Sequence, residues 1–268
     1  MTEAILVVLW RPETAAALLA AATRLATLSG GARVSVIAAA EPAATGVSAG
    51  PAFFGDTGAA PAGTDRVAAL REAFDRWRET AGTAGVPARW IAEEGNISAI
   101  VAERGARADI IVTAQPADGE REPRALFRAA LLGTDRPVLM VPPGATATFG
   151  RRVAIAWRDD KRVAAAVLAA LRWVPHAEKV EVLIGVRPGS PPPAVPRILV
   201  EHGLVAALHV LPIGAAPFGR ALLATAHETG ADLLVMGAYA HSPLRELILG
   251  GVTHYMAAHA DLPVLMRH

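Results

Sequence analysis

Short apolar runs and longer amphipathic stretches alternate along this chain. Ile5–Leu9 is unbroken apolar sequence, which reads as a strand buried on both faces. Trp10-Arg11-Pro12-Glu13 then leads into an alanine-rich helix over Thr14–Ala26, closed by Ser29-Gly30-Gly31. Val34–Ala38 is a second strand. Residues 41–64 are rich in Ala, Gly, Pro and Ser around Phe53-Phe54, lack periodicity and predict a long loop. Asp65–Thr80 sets Val67, Leu70, Phe74 and Trp77 on one helical face. Arg89–Ala92 is a third strand, and Asn96 caps a helix running to Arg104. Ile110–Thr113, a helix over Ala125–Leu132 and Val138–Val141 complete five strands.

Pro142-Pro143-Gly144 through Gly150 reads as a linker, and after it the plan repeats. Val153–Trp157 is a strand, Asp160–Trp173 a helix and Val180–Gly185 a strand. A proline-rich loop over Arg187–Pro196 precedes a short helix, Arg197–His202. Val205–Leu211 is a strand, Phe218–Thr229 a helix, Leu233–Met236 a strand, Val252–Ala260 a helix and Val264–Met266 a last strand. Blocks of letters repeat in order. Leu9-Trp10-Arg11 answers Ala156-Trp157-Arg158. Ala108-Asp109-Ile110 answers Ala231-Asp232-Leu233, and Asp135-Arg136-Pro137-Val138 answers Asp261-Leu262-Pro263-Val264. Strand and helix alternating in this way predict an α/β fold, with two tandem, doubly wound, five-stranded parallel-sheet domains joined by right-handed crossovers. The divisions are 1–143, a linker at 144–150, and 151–268.

Composition narrows the function. Hydrophobic residues make up 53% of 268 and charged residues 19%, which suits sizeable cores. The net charge of +1 argues against nonspecific nucleic-acid binding. Residues 1–150 carry 14 Arg against 16 acids, while 151–268 carry 12 Arg and Lys against 9 acids and all 8 histidines. The absence of cysteine excludes disulfides, thiolate metal sites and cysteine nucleophiles. No signal-like segment opens the chain, and His202–Gly219, although free of charged residues, is broken by prolines and glycines. A cytoplasmic protein without membrane contact is the expectation.

The stretch Ala231–Met266 carries the candidate chemistry. Its strand ends at Gly237, a loop passes Ala240, His241 and Ser242, and a connection reaches Gly250-Gly251, where a helix begins. A glycine loop at a strand's carboxyl end, followed by a helix with bare N–H groups, suits an anion such as phosphate. The same glycines also suit a tight crossover and close helix–sheet packing.

This segment resembles the C-terminal part of a universal stress protein domain. That family's nucleotide motif is Gly, two residues, Gly, nine residues, Gly, then Ser or Thr. Here the positions are Gly237, Ala240, Gly250 and Gly251, so the second glycine and the hydroxyl are missing, with Thr253 two residues beyond. With the internal repeat, the whole chain resembles a tandem universal stress protein. The resemblance implies a nucleotide, ATP or AMP, in the second half, with magnesium as a possible companion ion. Gly237, Ala240, His241, Ser242, Gly250, Gly251 and Thr253 would lie on its phosphate side. His241 and Ser242 join this set through their place in the loop. The family usually has an Asp after the first strand, near the ribose. Here Arg158 stands there, followed by Asp159 and Asp160. Asp160 can serve the ribose or cap the first helix, and capping is the commoner role. Arg158 suits phosphate or an ordinary solvated surface. The first half has Gln115–Arg124 in place of the loop, with Glu120 and Glu122 opposing phosphate, and reads as a non-binding partner.

Other chemistries find less support. There is no P-loop, Ser242 lacks a hydrolase elbow, and His254 and His259 are five apart, off a shared helical face. The expectation is therefore a non-enzymatic sensor or adaptor of the stress response. The alternative is a ligand-free interaction scaffold. The resemblance further implies that the final strands of the two halves pair as an internal pseudo-dimer about a local two-fold axis, with a further homodimer open.

Overall fold

The structure, a computed structural model, describes residues 3–40, 62–83, 85–116, 120–145, 148–214, 217–238 and 251–268. The first half runs β1 (Glu3–Val8), α1 (Pro12–Leu28), β2 (Ala32–Ala40), α2 (Ala62–Thr83), β3 (Ala88–Glu94), α3 (Ile97–Gly105), β4 (Ile110–Ala114), α4 (Arg121–Gly133) and β5 (Val138–Val141). The second half runs β6 (Arg152–Trp157), α5 (Lys161–Trp173), β7 (Lys179–Val186), α6 (Arg197–Glu201), β8 (Ala206–Pro212), α7 (Phe218–Glu228), β9 (Leu233–Gly237), α8 (Val252–His259) and β10 (Val264–Arg267). Helix α4 begins four residues before the Ala125 start that apolar periodicity suggests. Pro123 falls within its first turn, where no intrahelical donor is needed.

All ten strands form one sheet, in the order β3-β2-β1-β4-β5-β10-β9-β6-β7-β8. Each half is parallel, with its strand order reversing beside its first strand. The seam is antiparallel, pairing Val138 with Met266, Leu139 with Leu265 and Met140 with Val264. Leu139 and Leu265 are equivalent positions of the repeat and face each other directly, so the halves are related by a local two-fold axis through that pair. The fold is α/β, doubly wound twice over.

Side-chain alternation divides the core. One face of the sheet carries Ile5, Val7, Val112, Leu139, Val235 and Leu265 under α1, α2 and α5, with Trp173 and Phe149 fully buried there. The other carries Leu6, Ile111, Met140, Leu234, Met236 and Val264 under α3, α4, α7 and α8. Both clusters run across the seam. Phe149 takes part although it lies in the stretch expected to be a linker, and its carbonyl accepts from Arg24 Nε at 2.9 Å.

The repeated Ala-Asp block has a physical reason. Asp109 accepts the N–H of Ala4 at 2.9 Å, and Asp232 accepts those of Gly150 and Arg152 at 2.7 and 3.2 Å. Each carboxylate ties down the start of its half's first strand. The tryptophan block behaves differently. β1 pairs Ile5 with Ile110, and β6 pairs Val153 with Leu233, so Ile5 corresponds to Val153 and Trp10 to Arg158. The matching letters are one residue out of register. A one-residue shift reverses the face, and Trp10 packs on the α3/α4 side while Trp157 packs under α5.

Candidate functional site

In an open parallel sheet, ligands settle beyond the carboxyl ends of the strands, where the order reverses. In the second half that place lies between β6 and β9, which pair Ala156 with Met236. Of the candidate residues, Arg158, Asp160, Gly237, Gly251 and Thr253 are among the described ones. Ala240, His241, Ser242 and Gly250 lie outside them.

Asp160 is the N-cap of α5. Its Oδ1 accepts the N–H of Arg162 at 2.8 Å, and its Oδ2 meets Arg158 at 3.2 Å and Arg162 at 3.6 Å. Partial burial acts to raise its pKa. The Arg162 N–H and the two guanidinium groups outweigh that and hold it below the ordinary carboxylate value. The side chain is thus engaged in capping, and Arg158, half-exposed, is its ion partner.

Gly237 sits against the start of α5. A Cβ there would stand 2.9 Å from both the N and Cγ2 of Val163 and 3.2 Å from the carbonyl carbon of Arg162. Glycine at this position lets the helix N-terminus close over the end of β9. The next residue, Ala238, is buried and donates to the Arg267 carbonyl at 2.8 Å, tying β9 to β10.

Gly251 is the N-cap of α8, and its carbonyl accepts from Tyr255 N at 3.0 Å. Having no side chain, it offers the first-turn N–H groups no capping oxygen, which leaves that helix end suited to an anion. Thr253, the second residue of the helix, is only 2% exposed. Helix α8 is held in place by α7, where Gly219 admits the Tyr255 ring: a Cβ would lie 2.7 Å from its Cβ and Cγ. Asp160 and Gly237 thus gather at the α5 end, on one face of the sheet, while Gly251 and Thr253 begin α8 on the other. Both groups lie at its carboxyl edge.

In the first half the corresponding place, beyond the ends of β1 and β4, is bordered by an aromatic stack and a cavity. The Arg66 guanidinium lies 3.5 Å from the centroid of the Trp10 ring and donates to the Ala39 carbonyl at 3.1 Å. This stack covers the carboxyl ends of β1 and β2. A neighbouring cavity of about 270 Å3 includes Arg11, Thr14, Gln115 and Pro142. Arg11 meets Glu120 at 3.3 Å there, and Gln115 reaches across to the Ala260 carbonyl at 3.0 Å. The sequence does not single out Arg66, and it marks Trp10 only as part of a repeated block. The only available signal was an arginine in the first turns of a helix that follows a long loop. Among the described residues, no group of three or more His, Asp or Glu could hold a metal ion. No described helix is long and apolar enough to cross a membrane.

One side of the second crevice is built by α7, β9, α8 and β10, the other by β6 and α5. Residues 214–268 match the universal stress protein family. No curated protein matches the chain. Among solved structures, a universal stress protein from Archaeoglobus fulgidus shares 14% identity with a TM-score of 0.70, over 98% of this chain and 97% of its own. The cytoplasmic domain of a prokaryotic cation chloride cotransporter shares 13% identity with a TM-score of 0.55, over 99% of this chain and 95% of its own. Both likenesses extend through the two halves, so the complete chain has the universal stress protein fold.

Proposed function

We propose that the chain is a stress-response protein that binds one adenine nucleotide, ATP or AMP, in its second half, and acts as a sensor or adaptor without catalysing a reaction. The observation that carries this reading is the family match over 214–268, which takes in the β9 and α8 side of the crevice. The uncapped start of α8 behind Gly251 is consistent with phosphate there, and Arg158 at the edge of the crevice with its charge. Ala240, His241, Ser242 and Gly250 would complete the phosphate side. Titration calorimetry of the native chain and of Gly250→Asp tests the reading, because the substitution places a carboxylate where phosphate would sit. One equivalent bound by the native chain and none by the variant is the expected result; equal binding by both would remove the assignment.

A second reading is a scaffold without a ligand. It is favoured by Gly237, whose missing side chain makes room for the α5 backbone, and by the engagement of Asp160 in capping. Mass spectrometry of small molecules released on unfolding the purified protein separates the two, since only the first reading expects a nucleotide.

A further inference from the structure

The first half holds a basic groove outside the crevice already described. Helices α3 and α4 frame an open depression of about 540 Å3, lined by Ser98, Glu120, Arg121, Arg124, Ala125 and Arg128. The three arginines stand at i, i+3 and i+7 on α4, within an arc of about 60° and over a length of about 10.5 Å. The helix fixes Pro123, Leu126, Phe127, Ala130 and Leu131 toward the core, and so presents this stripe outward. Glu120, which the sequence suggests would oppose an anion, is instead turned to Arg11 at 3.3 Å. Arg121 and Arg128 make no ion pair among the described residues. Two exposed guanidinium groups thus share one stripe with that of Arg124, and Glu120, the carboxylate among the described lining residues, is paired with Arg11.

We propose that this groove binds an oligophosphate. Guanidinium forks match phosphate oxygens bidentately, and three along one stripe suit successive phosphates better than a single monovalent anion. The volume is in the range of small-ligand sites. The phosphates belong either to a free oligophosphate or to the tail of a nucleotide. The site is independent of the nucleotide reading for the second half, and the test keeps the two apart.

The full-length chain carrying Gly250→Asp, which disables the second-half seat, is titrated with inorganic tripolyphosphate, ATP and AMP. One equivalent of tripolyphosphate is expected. ATP binding comparably would mark a nucleotide tail, and tripolyphosphate alone a free oligophosphate, with AMP binding much more weakly in either case. Adding R121Q and R128Q should weaken binding about ten-fold or more. R121K with R128K should restore part of it, and R197Q, at an exposed arginine on α6, should change nothing. An unaltered affinity in the R121Q/R128Q protein would overturn the proposal. So would no binding of any phosphate, or binding confined to an acidic peptide such as oligoglutamate.

Discussion

Gly237 and Asp160 belong to one joint, where α5 starts over the end of β9. Gly237→Ala would push a methyl into Val163 N and Cγ2, both 2.9 Å away, one of them backbone that cannot turn aside. Urea unfolding should show a loss of about 1–3 kcal/mol, whether or not a nucleotide is present. Asp160→Ala removes the cap of α5 and should cost about 1 kcal/mol in the same assay. The acid limb carries a separate signal. Asp160 has a folded pKa below its unfolded one, so its contribution is present above the ordinary carboxylate range and is lost as pH falls through the folded value. Asp160→Asn should keep the cap yet flatten that limb of the stability curve. The cap was readable from an Asp ahead of an apolar helix. The use of Gly237 was not, because a glycine that admits a ligand and one that admits a helix are the same letter. Trp10 and Trp157 show the same limit: their contexts match, but a shift of one residue in strand register sends them to opposite faces.

Among the elements, the strands were the most legible, because parallel strands covered on both faces read as unbroken apolar runs. Val138–Val141 is an example, buried at every position. Helix α4 was less so, since its first turn holds Arg121, Glu122 and Pro123 and shows no apolar period before Leu126. The stack of Arg66 on Trp10 joins residues 56 positions apart across a stretch without periodicity, so no local pattern announces it. At this scale β10 is the element to test. It lies between β5 and β9, with Val264 facing Met140 on one side and Leu234 on the other. Val264→Pro deletes a backbone donor within a central strand, and the acceptor it leaves is buried. The expected loss is about 1–3 kcal/mol. Hydrogen exchange should show faster exchange in β5 as well as in β9.

As a whole molecule, the chain is one sheet with two cores that both cross the seam. A single calorimetric transition, with equal calorimetric and van't Hoff enthalpies, is therefore expected. Two resolved transitions would mean that the seam is weaker than either half. Residues 1–143 expressed alone would leave β5 as an open apolar edge, and light scattering should find that fragment dimeric. The seam also sets an order of events while the chain is being made. Val264, which closes over Met140, is separated from it by 264 − 140 = 124 residues. At translation rates of about 5–20 residues per second, β5 waits about 6–25 s for its partner to be synthesised. Throughout that interval the first half has its own parallel sheet available to fold and one adhesive edge uncovered. Neighbouring chains on the same messenger would carry the same uncovered edge as each passes through that interval.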